Sequence, residues 1–568
     1  IGNPPYNANQ ANENDNNKNR EYPEIDKRIK ATYIAESTAQ KTKLYDMYAR
    51  FFRWASDRLD ANGVLALVTN RSFIESRTFD GFRKTVAREF ADIYVVDLGG
   101  DVRANPKLSG TKHNVFGIQT GVAISFMVKR LPATKDKKPA RVYYVRRPEM
   151  ETAEEKLAFL ASHPMRALPF DEVSPDKNAN WVNLTNNDFE TLLPLASKET
   201  KAAKTAVKER AIFKLFSNGI NTARDSWVTD ESSTDLAEKA HFFLERYSRH
   251  DATNKTYDDV IKWSRNLKSK LARGEREPFK KSRIVPYAYR PYFENFLYFS
   301  DLMVDELGQL PVMLRGENQL IAMPATGEFR CLATDRACDF HFIGDSRVVS
   351  LYRYDESGNR TDNITDWALK QFAAHYADET GKGKGARKIT KEAIFHYCYA
   401  VLHDPLYREK YAQNLKREFP RIPFYAQFWQ WAAWGEQLMA LHIGYETVAP
   451  FALTRHDEPD TKARAAGQAP KALLKSNPAA GSITLDSETT LRGVPPEAWA
   501  YKLGNRCAID WVLDQHKEKK PKDPTIRERF DTYRFADHKE KVVDLLQRVT
   551  TVSVETARIT EAMKGVAR

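Results

Sequence analysis

Four residues at the start of the chain, Asn3-Pro4-Pro5-Tyr6, have types and spacing that suit one kind of chemistry. An exocyclic amine on a purine is a poor nucleophile, because its lone pair is delocalised into the ring. Two acceptors aimed at its hydrogens favour a pyramidal nitrogen and return density to it. The Asn3 side-chain oxygen and the Pro4 carbonyl can be those acceptors, held rigid by the tandem prolines. Tyr6 can stack on the face of an extruded base and offset part of the cost of flipping it from the duplex. Positioned acceptors suffice for in-line group transfer, so neither a metal site nor a nucleophilic side chain is expected. Tandem prolines are also ordinary turn punctuation, so the elements around the motif decide its meaning.

Those elements follow a clear pattern. Residues 44–59 (LYDMYARFFRWASDRL) carry apolar side chains at helical spacing and end in the turn Asp60-Ala61-Asn62-Gly63. Residues 64–68 (VLALV) are a short apolar run, read as a buried strand of a parallel sheet. Residues 79–90 return to helical spacing, and residues 93–98 (IYVVDL) and 122–128 (VAISFMV) make two more strands. Strands alternating with helices imply an α/β fold with a doubly wound sheet, whose ligands bind beyond the carboxyl ends of the strands. A motif such as NPPY belongs at such an end. Only Ile1 and Gly2 precede it here, so the chain is expected to begin in the middle of a domain.

The NPPY segment with this helix–strand pattern resembles the catalytic half of amino-methylating methyltransferases that use S-adenosyl-L-methionine. More narrowly, residues 3–29 (NPPYNANQANENDNNKNREYPEIDKRI) resemble Type ISP restriction–modification enzymes. Residues 399–424, 428–442 (FWQWAAWGEQLMALH) and 504–516 (GNRCAIDWVLDQH) resemble the specificity region of the same family. The resemblance implies adenine-N6 methylation of double-stranded DNA on a flipped base, in a prokaryotic cytoplasm. It makes Asn3, Pro4, Pro5 and Tyr6 the catalytic motif. Phe116, in HNVFGIQTGV, becomes a second aromatic against the base, where a buried strand-approach Phe is the plainer alternative. It also implies a partial methyltransferase sheet followed by a mixed α+β target-recognition region. The expected division is a partial methyltransferase domain over 1–150, a helical connector over 151–210 and a DNA specificity domain over 211–568.

Two features depart from the family. A Gly-rich turn for the cofactor would lie upstream of NPPY, and neither Gly99-Gly100, Gly435 nor the GKGKG stretch at 381–385 supplies a strand–turn–helix glycine motif. No phosphate-loop motif occurs either, so the family's nuclease, helicase-like and cofactor-binding segments would be supplied from outside this sequence. The alternative reading is therefore a non-catalytic DNA-recognition fragment. Methylation of a protein glutamine amide, which NPPY also serves, fits the long basic region poorly.

Composition agrees with a polyanion partner. The 568 residues are 42% apolar and 29% charged, with a formal net charge of +12. That surplus points toward nucleic acid. Four cysteines, Cys331, Cys338, Cys398 and Cys507, are too few for a disulfide scaffold and read as reduced thiols. Residues 262–283 (KWSRNLKSKLARGEREPFKKSR) concentrate Lys262, Arg265, Lys268, Lys270, Lys280, Lys281 and Arg283, then run into a Tyr/Phe-rich stretch. Such a surface suits phosphate contacts, although a solvated helix leading into a β-rich core would look the same. Asp339, His341 and Asp345 alternate as on an ordinary strand, so no metal set is assigned. Residues 312–350 read as β-strands, 198–214 as a Lys-rich helix, and Phe428, Trp429, Trp431 and Trp434 as one core-facing helical side. An Asn-rich loop over 7–19 is expected beside the motif. A final amphipathic helix is expected over 537–549, with the last residues loosely held.

Overall fold

The computed structural model describes residues 1–5, 22–37, 44, 46–101, 110–130, 138–176, 179–182, 187–251, 257–325, 327–380 and 387–568. Tyr6, the Asn-rich loop and the GKGKG stretch lie outside them. The chain divides into two compact units, Ile1–Asn186 and Asn187–Arg568. The stretch 151–210 is thus shared between the two units.

In the first unit, α1 (Pro23–Ile29), α2 (Met47–Arg58), α3 (Ser72–Glu75) and α4 (Asp80–Glu89) accompany a sheet. Its strands are β1 (Gly63–Asn70), β2 (Asp92–Gly99), β3 (Val122–Lys129), β4 (Arg141–Arg146) and β5 (Asp171–Val173), in the order β1-β3-β2-β4-β5. A last helix, α5, covers Ala153–Ser162. Apolar residues at three- and four-residue spacing form the inner face of α2, where Tyr48, Ala49 and Phe52 are buried. Phe52, Phe73 and Phe82 meet at tilted or edge-on angles, with ring centroids 5.0 to 5.8 Å apart. These contacts close one side of the sheet over Leu65, Ile93, Val95 and Met127. Val96, Leu98, Val122 and Val145 make a second, smaller core with Leu160 of α5. Apolar cores on both faces explain why the strands read as continuous apolar runs.

One expectation needs correcting. The sheet is mixed: β3 runs antiparallel to both β1 and β2, and among the described residues only β2 with β4 is a parallel pair of strands. A parallel return needs a crossover of a dozen or more residues, usually a helix. The described part of the β2–β3 connection, 110–121, is turns. The chain therefore comes back antiparallel beside β2.

Among the described residues, the second unit holds three four-stranded sheets, in keeping with the strands expected over 312–350. In one, Leu320–Pro324 lies between Leu332–Thr334 and Ser346–Ser350. In another, Ile284–Arg290 pairs with Phe293–Tyr298. Helix Phe428–Ile443 packs on Lys391–His403, where a Cβ on Gly435 would lie 1.8 Å from the His396 carbonyl oxygen. Phe428 and Trp431 are buried, and Trp429 and Trp434 pack against the same core. Residues 198–214 are α-helical only over Lys198–Ala202, with a single 3-10 turn over Ala206–Lys208, and the Lys214 ammonium turns back to the Thr200 carbonyl at 2.9 Å instead of lying on a solvated face. The final helix spans Phe535–Lys564, much longer than expected, and buries Ile559 and Met563. Beyond it Arg568 is ion-paired to the fully buried Asp404, so these residues are tied down. All four cysteines are buried and unpaired, and burial pushes the thiols up, Cys331 to about 11. No helix among the described residues is long and apolar enough to cross a membrane.

Candidate functional site

The motif residues join the sheet through Gly2. Its N–H donates to the Ala66 carbonyl and its carbonyl accepts from the Val68 N–H, both at 3.0 Å, in a parallel bridge to β1. A Cβ on Gly2 would sit 3.1 Å from the Leu67 side chain, so glycine allows this close approach. Because the bridge is parallel, Asn3, Pro4 and Pro5 run on toward the carboxyl end of β1. Pro4 is buried there, while Asn3 and Pro5 face outward.

The loop carrying Phe116 emerges at the same end. Val122, the first residue of β3, pairs with Asn70 of β1 and with Gly99 of β2, so three strand ends meet there. Phe116 is 48% exposed, so it is not a core residue of a strand approach. An exposed aromatic on a loop is useful only if the loop is held. Asn114, 2% exposed, does this with its whole amide. Its Oδ1 accepts from the N–H of Phe116 at 3.0 Å and of Ile118 at 3.4 Å. Its Nδ2 donates to the carbonyls of Gly100 at 3.1 Å and Thr120 at 2.7 Å. A Thr152–Glu155 capping box starts α5, which ties the loop from the other side. The buried Lys156 ammonium donates to the His113 carbonyl at 2.7 Å, and Ala153 N–H to that of Lys112 at 3.0 Å.

Beneath the loop, Arg71 and Asp97 join the ends of β1 and β2. Arg71 Nε lies 2.9 Å from Asp97 Oδ1 and Nη2 lies 2.8 Å from Oδ2. The Tyr144 hydroxyl and the Gly99 N–H also donate to this carboxylate, at 2.7 and 2.9 Å. Burial alone would raise the Asp97 carboxyl; the Arg71 hydrogen bonds and charge overrule it and hold it below the usual carboxylate range. Neither Asn114 nor this pair stands out in the sequence, since each acts on backbone or charge far along the chain.

A nucleoside cofactor needs space beside glycine backbone, and Gly99 and Gly100 do not leave it. A Cβ on Gly99 would meet the Glu149 carboxylate at 3.3 Å, and one on Gly100 the His113 carbonyl at 2.7 Å. Protein atoms fill those positions, so these residues do not fit S-adenosylmethionine. Among the described residues, no group of three or more His, Cys, Asp or Glu side chains is placed to hold a metal ion. Asp339 is instead bonded to Tyr287, Arg290 and the His341 N–H.

In the second unit, Lys262, Arg265, Lys268, Lys280 and Lys281 are exposed. Lys270 is not: at 4% exposure its ammonium donates to the carbonyls of Asp301 and Val304, which removes it from any phosphate-facing set. Arg283 is paired with Glu277. The aromatics that follow are mostly core, with Tyr287, Tyr292 and Tyr298 at 0–1% exposure. Tyr292 has a positive φ of 55°, and its hydroxyl lies 2.8 Å from that of Tyr501. Sequence reasoning passed over the run KEKKPK at 517–522, whose charge density was a visible signal.

Comparison with known proteins agrees with this layout. Residues 211–545 match the family model of the Type ISP C-terminal specificity domain. Residues 1–103 match that of the Eco57I restriction–modification methylase. Among solved structures, a cryo-EM DrdV–DNA complex is similar at 48% identity and a TM-score of 0.89, over 99% of this chain and 56% of that one. A nuclease-deletion mutant of the Type ISP enzyme LlaGI, with a DNA substrate mimic, is similar at 27% identity and a TM-score of 0.80, over 100% of this chain and 44% of that one. The ATP-dependent Type ISP enzyme LlaBIII, bound to DNA, shares the fold at a TM-score of 0.83 and 24% identity, over 100% of this chain and 37% of that one. No curated protein matches. The chain spans little more than half of the DrdV chain and less of the other two. With its strand-end motif, its locked aromatic loop and a specificity region that covers most of its length, the chain belongs to the Type ISP restriction–modification family.

Proposed function

We propose that the chain is the part of a restriction–modification enzyme that methylates adenine N6 at a specific site in double-stranded DNA. The observation that carries this reading is the Gly2 bridge, which supports placing Asn3 and the Pro4 carbonyl at the carboxyl end of β1. There they would accept the two hydrogens of the flipped amine and favour a pyramidal nitrogen. Pro4 and Pro5 keep the acceptors rigid, and Tyr6 with Phe116 would bracket the base. S-adenosylmethionine would be the methyl donor, held by residues other than Gly99 and Gly100. The region 211–568 would recognise the target sequence. Its partners would be duplex DNA and the nuclease, helicase-like and cofactor-binding segments of the whole enzyme.

The filled positions beside Gly99 and Gly100 favour a second reading, a recognition fragment without catalysis. Tritiated methyl transfer from S-adenosylmethionine to a mixed pool of duplex DNA separates the two. Label on adenine that vanishes in Asn3→Ala supports the enzyme. Salt-sensitive duplex binding without label supports the fragment, and absence of both rejects both.

A further inference from the structure

A cleft of about 560 Å³ in the second unit is lined by residues that lie far apart in sequence, among them Asn221, Asp225, Lys262, Asp339, Lys522 and Asp523. Its wall is stiff. The Ile220 N–H donates to the Cys338 carbonyl at 2.9 Å, and the Asn221 N–H to that of Glu306 at 3.0 Å. Ala223, also on the wall, has a φ of 56°, which a non-glycine residue holds only when its surroundings fix it.

All three carboxylates on the wall have both oxygens occupied. Asp225 accepts from the hydroxyls of Thr222 and Tyr289. Asp339 accepts from the Tyr287 hydroxyl, Arg290 and the His341 N–H, each at 2.7 Å. Asp523 accepts from Trp227 Nε1 at 2.7 Å and the Ile526 N–H at 3.1 Å. Arg290 also offsets the charge of Asp339 at 2.7 Å. Each of the three acids is thus held in place by donors of the fold. Lys262 and Lys522 are both exposed, and their ammonium groups have no hydrogen bond or ion pair among the described residues. These two ammonium groups are the charged donors of the lining that no residue among the described ones engages.

We infer that this cleft seats a backbone phosphate of duplex DNA, with the Lys262 and Lys522 ammonium groups holding it. The inference rests on the DNA-binding part of the proposed function and adds a residue pair to it. A phosphodiester fits the donor set: it is an anion with two outward oxygens, and lysine binds it as a point charge without reading sequence. The two lysines belong to basic runs 260 positions apart, at Lys262 and Lys522, which only the fold brings to one cleft.

The test measures binding of the chain to a fluorescent mixed-sequence duplex between about 50 and 200 mM salt, the range over which phosphate binding weakens steeply. The double variant Lys262→Ala/Lys522→Ala should bind roughly tenfold more weakly at the low-salt end. Its log–log salt slope should shrink by about 1, as expected when one phosphate is no longer neutralised. Lys262→Arg/Lys522→Arg should keep the wild-type slope. Lys388→Ala/Lys471→Ala removes the same charge elsewhere on the exposed surface and should leave the slope unchanged. A wild-type slope in the double alanine variant, or an equal weakening in the control, overturns the inference while the wider reading stands. Absence of salt-sensitive duplex binding by the wild type overturns both. The two ammonium groups hold nothing else in place, so an unchanged melting midpoint should accompany every variant.

Discussion

Arg71 reaches Asp97 across Gly121, a residue with no side chain to obstruct it. A Cβ on Gly121 would lie 2.3 Å from Arg71 Cδ, inside any permitted contact. β1 and β2 are not neighbours, because β3 runs between them. The glycine just ahead of β3 is what lets the ion pair close over it. Gly121→Ala should therefore cost roughly 1–3 kcal/mol, the usual range for overpacking, read as a lower urea midpoint.

Asp97→Asn should cost more, up to about 3–5 kcal/mol, since it takes the fully buried carboxylate from the Arg71 guanidinium and leaves it only the part-exposed Glu75. The same pair sets a pH dependence. The folded carboxyl is held below its unfolded value of about 3.9, so its contribution is present above that pH and lost as pH falls through the folded value. Asn at position 97 should remove that part of the acid sensitivity.

Asn114→Ala should free the loop that carries Phe116. Two backbone N–H groups and two carbonyls lose their partner, at about 1–3 kcal/mol for buried polar groups left unsatisfied. Limited trypsin digestion reads the effect locally, because cleavage after Lys112 should accelerate well before the protein as a whole melts. Unchanged cleavage would show that the Lys156 and Ala153 ties hold the loop alone.

Buried histidines in the second unit should make stability fall in mild acid. Burial lowers His442 to about 3 and puts His403 well below its ordinary value. The Tyr399 hydroxyl lies 2.6 Å from His442 Nδ1, and Nε2 lies 3.0 Å from Thr556 Oγ1, so a neutral ring has a partner at each nitrogen. Below pH ~6.5 the unfolded chain binds protons that the folded one refuses, which costs up to about 1.4 kcal/mol per pH unit for each ring. The urea midpoint should drop between pH 7.5 and 5.5, and less so in His442→Gln.

Gly435→Ala should separate helices Lys391–His403 and Phe428–Ile443, since the His396 carbonyl stands where the methyl would go. That closeness is backbone against side-chain space and has little slack. A loss of about 1–3 kcal/mol is expected, by the same overpacking argument.

Much of the local structure was legible in the residues. The runs 64–68, 93–98 and 122–128 became β1, β2 and β3 with their ends moved by at most two residues. The tryptophan-rich helix turned its face to the core as its spacing implied. Periodicity records which side of an element is buried but not which neighbour buries it, so the direction of β3 and the bridge across Gly121 could not be read. Charge misled in the same way. Lys270 has the composition of a DNA contact and the environment of a helix pinned to a loop. The final helix was underestimated because Ile559 and Met563 are buried by a separate cluster, beyond the stretch whose pattern was clear.

The four cysteines give the molecule a practical property. Every cysteine sulfur is enclosed, and burial holds Cys331 and Cys507 near 11 and 12, far from the thiolate that reacts with electrophiles. The wild-type chain should therefore be almost blind to maleimide under native conditions. Phe116→Cys or Lys522→Cys would add one accessible thiol at the aromatic loop or at the cleft. A dye attached there would report from that site alone, with no need to remove the native cysteines first.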